Sequence, residues 1–267
     1  MLKKIRAIIL AAGEGRRLKP YTSDCPKCLV ELGGIPLFEY QLHSLKECGI
    51  TDITIVTGYC AQKIEALKVK TIHNSNYAKT NMVASLMCAR KLLDGQFDIL
   101  ICYGDILYES KIIKELLKCK NPIATAIDQD WLKLWKIRFC NPLAEAETLK
   151  WDESLKILEV GKKPKSLKEI QGQYMGLIKV QAKYAPQLIE VYGNLDPEVS
   201  FDGKNRDNMF MTSFLQHLID LGWAVYAVPI SGGWLEIDTA KDLECYNEMY
   251  KNGILSKYFQ APSILVK

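Results

Sequence analysis

Histidine is scarce in this 267-residue chain: only His43, His73 and His217 occur, far apart in sequence. That scarcity removes the commonest general base near neutral pH and leaves no spaced histidine pair for a zinc site. The nine cysteines are odd in number and scattered from Cys25 to Cys245, which excludes a disulfide framework and fits reduced, partly buried thiols. One pair, Cys25-Pro-Lys-Cys28, has CxxC spacing, but no second pair follows to complete a metal set. Excess charge of one sign is also missing: Lys+Arg 35 against Asp+Glu 31 gives a formal +4. That balance argues against a nucleic-acid scaffold, so any basic site must be local. No apolar stretch approaches the roughly 20 residues of a membrane span. The charged and then apolar start "MLKKIRAIIL" runs into Gly-Glu-Gly-Arg-Arg rather than a small-residue cleavage site. The expectation is a cytoplasmic chain with no export signal and no membrane partner. Internal repeats and low-complexity segments are lacking too.

What is present is length and apolar content enough for a sizeable core, 48% hydrophobic over 267 residues, read as one domain over 1–267. Near its start stands "AIILAAGEGRRLKPYTSDCPKCLVELGGIPL". A strand that ends in small residues can bring bare backbone NH groups against a ligand, and the cations that follow suggest an anionic one. Two familiar phosphate loops do not fit. The dinucleotide fingerprint wants a third glycine where Leu18 stands after Gly13 and Gly15. The Walker pattern needs Gly-Lys-Ser/Thr, and none follows this strand. What remains is Gly13-Glu14-Gly15-Arg16-Arg17-Leu18 with Pro26-Lys27 further on, a separation that lets two cations reach different phosphates of one triphosphate.

"RAIILAA", "DITIVTGY" and "FDILICYGD" are compact apolar runs bounded by turn residues, the pattern of strands buried on both faces. Helical segments lie between and after them, "PLFEYQLHSLKECG" with Leu37, Tyr40, Leu42 and Leu45, and "NMVASLMCARKLLDG" with an Asn at its start. Such alternation predicts an α/β fold, a mostly parallel sheet flanked by helices. From about Asp128 to Val180 the pattern turns to short segments, with strand-like runs either side of Asp152-Glu153-Ser154. This stretch reads as an antiparallel β insertion forming a smaller lobe. The α/β style returns in "MFMTSFLQHLIDLG", "WAVYAVPI" and "TAKDLECYNEMYKNG".

Two carboxylates stand where chemistry is expected. Asp105 follows Ile99-Leu100-Ile101 by way of Cys102-Tyr103-Gly104; ligands collect beyond the carboxyl ends of such strands, and an aspartate there can hold Mg2+ or simply make a turn. Asp238, in "GGWLEIDTAKDL", precedes a helix that either it or Thr239 caps.

The segments "ILAAGEGRRLKP", "PKCLVELGGIPL", Gly104-Asp105, "VGKKP" and "GWLEIDTAKDL" occur in the order seen in sugar-nucleotide-type nucleotidyltransferases. The chain resembles that superfamily across nearly its whole length. Within it, "NMVASL", "AEAETL", "GQYMGL", "NMFMTSFLQ" and "GGWLEID" resemble the cytidylyltransferase branch that makes CDP-linked small molecules from phosphocholine or phosphoglutamine. The resemblance implies a Rossmann-like, GT-A-like sheet, CTP and a small phosphorylated acceptor as substrates, Mg2+ as cofactor, and a role in decorating a cell-surface polysaccharide; a homo-oligomer is compatible with it.

By that resemblance Leu10, Ala11, Ala12 and Gly13 lie against the nucleoside, Gly15 and Arg16 give backbone NH groups to phosphate, Arg17 grips the β and γ phosphates and Lys27 the α phosphate. Asn81 and Ser85 read the base, and Asp105 and Asp238 hold the metal. The acceptor is expected between sheet and lobe, near Lys163, Tyr174, Gly176 and Trp234. Trp131, with Asp128 and Tyr174, offers a cage for a quaternary ammonium; Arg138 and Gln173 offer a cation and an amide for an amino-acid head, and the chain leans toward the second. Two departures stand out. Arg16 replaces a residue that is usually small and hydroxylated, and Lys162-Lys163-Pro164 replaces the usual Glu-Lys-Pro, which weakens the case for a sugar 1-phosphate acceptor. That sugar enzyme and a non-catalytic nucleotide-binding homologue are the alternatives.

Overall fold

The three apolar runs become parallel strands because each is buried on both faces, and only a sheet with helices above and below supplies that environment. The computed structural model describes residues 4–262. Its first half runs β1 (Ile5–Ala11), β2 (Glu31–Leu32), β3 (Ile35–Pro36), α1 (Leu37–Glu47), β4 (Asp52–Thr57), α2 (Ala61–Glu65), β5 (Lys70–His73), α3 (Met82–Cys88) and β6 (Asp98–Tyr103). Then come β7 (Ile106–Tyr108), α4 (Ser110–Lys118), β8 (Ile123–Asp128), α5 (Trp131–Arg138), α6 (Pro142–Glu145), β9 (Leu149–Trp151) and β10 (Ile157–Val160). The chain continues with β11 (Gln173–Val180), α7 (Ala185–Gly193), α8 (Met211–Asp220), β12 (Val225–Ile230), β13 (Trp234–Glu236) and α9 (Ala240–Lys251).

Seven strands form one sheet in the order β12-β8-β11-β6-β1-β4-β5. All pairings are parallel except those of β11, which runs antiparallel to both β6 and β8. Successive side chains of β1 face opposite sides: Ile9 joins the core under α1 and α4, and Ile8 the core under α3 and α8. From β1 the chain moves outward through β4 and β5, then returns to add β6 on the other flank. The carboxyl ends of β1 and β6 therefore border the crevice where such sheets bind ligands.

The stretch read as an antiparallel insertion divides. Its hairpin is β9 and β10, preceded by α5 and α6. Its last strand, β11, is part of the main sheet, and all eight of its residues are buried, which a two-stranded flap could not achieve. The register between β11 and β8 shifts between Tyr174 and Ile178. Gly176 lies inside that irregularity at φ 79, with the Tyr103 ring 2.5 Å from where a Cβ would stand. Only glycine fits this combination of left-handed backbone and close approach.

Candidate active site

The turn after β1 sets the site's floor. Gly15 is left-handed at φ 61, and its carbonyl accepts from the Thr22 hydroxyl at 2.8 Å and from the Leu18 NH at 2.8 Å. This folds the loop back so that Lys27, at the start of a short 3-10 turn, lies beside Gly15. Lys27 Nζ then donates to Asp105 Oδ2 and to Asp238 Oδ1, each at 2.6 Å. One carboxylate follows β6 and the other follows β13, so three distant segments meet on a single ammonium.

Arg17 Nη2 lies 3.2 Å from Asp238 Oδ2 with its side chain 67% exposed, whereas Arg16 leans on Glu14 and is solvated. Burial alone would lower the Lys27 pKa, but Asp105 and Asp238 outweigh it and hold the ammonium protonated. Burial would raise Asp238, and Lys27, with Arg17 and Arg138, overcomes it and keeps that carboxyl below its ordinary value.

A cavity of about 360 Å³ opens above this cluster. Leu10, Ala11, Ala12, Gly13, Gly15, Arg16, Arg17, Lys27, Asn81, Ser85, Asp105 and Asp238 all line it, so every residue assigned from sequence to the nucleotide, the phosphates or the metal reaches one space. Asn81 is also the cap of α3, its Oδ1 accepting from the Met82 NH at 2.9 Å. The Ser85 Oγ accepts from Asn74 Nδ2 at 3.0 Å, which leaves its own hydrogen to donate. Asn74, Tyr77, Thr80 and Glu236 belong to this neighbourhood without having been singled out from sequence. For Glu236 the signal was at hand, two residues before Asp238.

A second cavity of about 390 Å³ adjoins the first and shares Arg17, Met82, Tyr103, Glu236 and Asp238 with it. Tyr174 and Gly176 line it, as do Arg138 and Gln173. Trp135, Glu145, Glu147, Thr212 and Thr239 also line it. Burial, and then nearby Asp202, push the Glu147 carboxyl up to about 7 against the Thr212 hydroxyl and Lys163.

Three residues assigned to the acceptor lie elsewhere. Trp131 is 4% exposed and packs edge-on against Trp135, 5.9 Å between ring centroids. Trp234 is 2% exposed, and its Nε1 donates to Asp128 Oδ2 at 2.8 Å. Asp128 also accepts from the NH groups of Asp130 and Gly232, each at 2.9 Å. An apolar ring with a satisfied NH gains more from the core than from a cavity wall, so the proposed cage of Trp131, Asp128 and Tyr174 does not assemble. Lys163 donates to the Ala144 carbonyl in α6 and approaches the cavity only through its charge on Glu147.

Arg138 is likewise committed. Its side chain is 1% exposed, and it bonds Glu236 and both oxygens of Asp242 at 3.2 and 3.3 Å. Asp242 in turn accepts from the Asp238 NH at 3.0 Å. The guanidinium is thus tied to the backbone that carries a site carboxylate.

Asp105 Oδ1 is buried and has no hydrogen-bond partner. An orphaned carboxylate oxygen beside a second carboxylate is a donor set suited to a hard cation, and Mg2+ commonly takes one or two carboxylates and completes its shell with substrate phosphates. Among the described residues no group of three or more His, Cys, Asp or Glu side chains is placed to hold a metal. Cys28 lines the first cavity as a buried thiol pushed up to about 12 by burial. No helix among the described residues is long and apolar enough to cross a membrane.

Residues 7–155 match the MobA-like NTP transferase domain. Over 249 residues the chain is 42% identical to the CTP:phosphoglutamine cytidylyltransferase of Campylobacter jejuni, covering 90% of this chain and 98% of that protein. It is also 42% identical over 99 residues to the choline-phosphate cytidylyltransferase of Streptococcus pneumoniae, 36% of this chain and 43% of that one. The solved structure of CTP:phosphocholine cytidylyltransferase from Streptococcus pneumoniae aligns with a TM-score of 0.68 at 22% identity, covering 92% of this chain and 99% of that chain, a likeness of fold. With a family domain spanning more than half its length and a relative matched almost end to end, this chain belongs to the MobA-like NTP transferase family and is a nucleotidyltransferase.

Proposed function

We propose that this chain transfers a cytidylyl group from CTP to the phosphate of a phosphoglutamine-type acceptor and releases pyrophosphate. The observation that carries the reading is the meeting of Lys27, Arg17, Asp105 and Asp238 at the mouth of the β1/β6 crevice, in a chain 42% identical over 90% of its length to an enzyme of that name.

An acceptor phosphate is already ionised at neutral pH, so the site needs no general base, and none of the three histidines lines either cavity. Catalysis then reduces to alignment and charge compensation. Arg17 meets the β and γ phosphates at the exposed rim, and Lys27, buried at the floor, meets the α phosphate. Gly15 and Arg16 offer backbone NH groups to the same chain of phosphates. Ser85, whose oxygen is occupied by Asn74, donates to an acceptor atom of the base, and cytosine presents O2 and N3. Asp105 and Asp238 would hold Mg2+, which supplies neutralisation of phosphate charge when bound. The second cavity admits the acceptor, with its phosphate directed to the shared wall of Arg17 and Asp238.

The test is pyrophosphate release from purified protein, CTP and Mg2+ over phosphoglutamine, phosphocholine and several sugar 1-phosphates. Turnover with phosphoglutamine bears the reading out. Turnover only with a sugar 1-phosphate, or CTP binding without turnover of any acceptor, replaces it by one of the alternatives.

A further inference from the structure

We infer that the acceptor cavity selects a ligand bearing N–H groups over a quaternary ammonium, and that Gln173 and Trp135 make the selection. The inference rests on the cytidylyltransferase reading above and adds the chemistry of the acceptor's head.

Seven buried side-chain polar atoms among the described residues have no hydrogen-bond partner. Two of them, Gln173 Oε1 and Trp135 Nε1, belong to residues on the wall of the second cavity, where the Tyr174 hydroxyl is engaged with Tyr103. Buried polar groups are nearly always paired, so two orphans around one space indicate partners supplied by the ligand. Their chemistry is complementary. Gln173 Oε1 only accepts and Trp135 Nε1 only donates. The fitting ligand therefore presents at least one N–H or O–H and at least one acceptor oxygen near its head. An amino-acid head has both.

A trimethylammonium has neither. Turning the Gln173 carboxamide over would not help, since its NH2 would then seek an acceptor that the quaternary group also lacks. The usual compensation is an open aromatic face, but of the rings on this wall only Phe210 is exposed, and the Lys204 ammonium stands 5.8 Å from its centroid. The Trp135 ring already carries the Arg138 guanidinium 5.0 Å from its centroid and the edge of Trp131 at 5.9 Å. The Tyr174 ring meets Tyr103 edge to face at 5.8 Å. Glu145 and Glu147 stand on the same wall and favour a cationic nitrogen of either kind, so charge does not separate the two ligands. Hydrogen bonding does, because each buried partner left unmade weakens binding by on the order of tenfold or more.

The experiment compares phosphoethanolamine with phosphocholine, which differ by three methyl groups on nitrogen, and includes phosphoglutamine, with the full chain, CTP and Mg2+. Wild-type kcat/KM is expected to favour phosphoethanolamine over phosphocholine by on the order of tenfold to a hundredfold. Gln173→Leu should bring that ratio near one by raising KM for phosphoethanolamine, with the KM for CTP unchanged. Trp135→Phe keeps a ring in place and should weaken phosphoglutamine while sparing phosphoethanolamine, which has no acceptor oxygen on its head. A wild-type preference for phosphocholine, or an unchanged ratio in Gln173→Leu, overturns this inference alone. Silence toward all acceptors overturns the cytidylyltransferase reading and this inference with it.

Discussion

The two cavities that share Arg17, Tyr103, Glu236 and Asp238 are built on opposite plans. In the first, nearly every polar group is satisfied before any substrate arrives: Lys27 spans two carboxylates, Asn74 holds Ser85, and Asn81 caps a helix. In the second, an indole NH and an amide oxygen lack partners, and a carboxyl is pushed up to about 7 by burial. On the proposed assignment of the two cavities, the difference teaches that triphosphate recognition depends on preformed charge and exposed backbone, whereas acceptor recognition depends on polar groups kept short of partners. Satisfied groups cost little in the empty protein and serve any nucleotide of the right shape. Unsatisfied groups cost stability and return it only to a ligand that completes them.

That contrast can be broken most forcefully at the joint between the cavities. Arg138→Met strands Glu236 and Asp242 without their cation, and the loss of one partner from such a buried set typically costs about 3–5 kcal/mol. Urea unfolding should register it, and a variant as stable as the wild type would mean that the network is not holding the two halves together. Next comes the nucleotide side. Lys27→Met should cut kcat by about 10²–10³-fold, the range for removing one preorganised charge donor, and should tighten Mn2+ binding without nucleotide, because Asp105 and Asp238 lose their shared ammonium. Wild-type turnover in this variant would remove Lys27 from catalysis.

On the acceptor side the signature is pH. Glu147 titrates near 4.5 when unfolded and about 7 when folded, with burial the leading cause and Asp202 second. The folded protein therefore binds more protons than the unfolded chain between those values, and stability, full below pH 4.5, is lost as pH rises to 7. The slope is well under about 1.4 kcal/mol per pH unit, because Glu147 is only half-buried. Thermal melts of Glu147→Gln should show that slope flattened, and an identical pH profile would sink the assignment. The smallest effect is expected at Ser85→Ala. It removes one neutral hydrogen bond, raising the KM for CTP about fivefold at unchanged kcat; equal KM values for CTP in both proteins would exclude contact with the base.

Much of the first cavity was legible in the sequence because its parts are local. A strand, a glycine turn and two cations within the stretch from Ile8 to Lys27 specify their own geometry, and Asp105 announces itself by following a buried run. The strands and helices largely followed their periodicity, down to the Asn81 cap, although α3 stops at Cys88 and the rest of the segment read as helix to Gly95 holds only a 3-10 turn at Arg90–Leu92. The acceptor side was not legible in the same way. Trp131 and Trp135 are four residues apart on α5 and both are buried in the same core, yet only Trp135 also borders the cavity. Lys163 sits in a motif that the eye follows, but its ammonium is taken by the Ala144 carbonyl. Trp234 looks like a site residue until Asp128 is found beneath its indole nitrogen. Local pattern does not say which polar atoms acquire partners from distant segments.

By itself, then, the sequence determined the alternation of strands and helices, the glycine turn after β1 and the identity of the charges beside it, since these follow from hydrophobic period, backbone freedom and short chain separation. Only the tertiary structure decided that β11 runs antiparallel in the middle of the sheet, that Arg138 is consumed by Glu236 and Asp242, and that Gln173 and Trp135 are left without partners. Hydrogen-bond satisfaction is settled among residues far apart along the chain, so it exists only once those residues have been brought together.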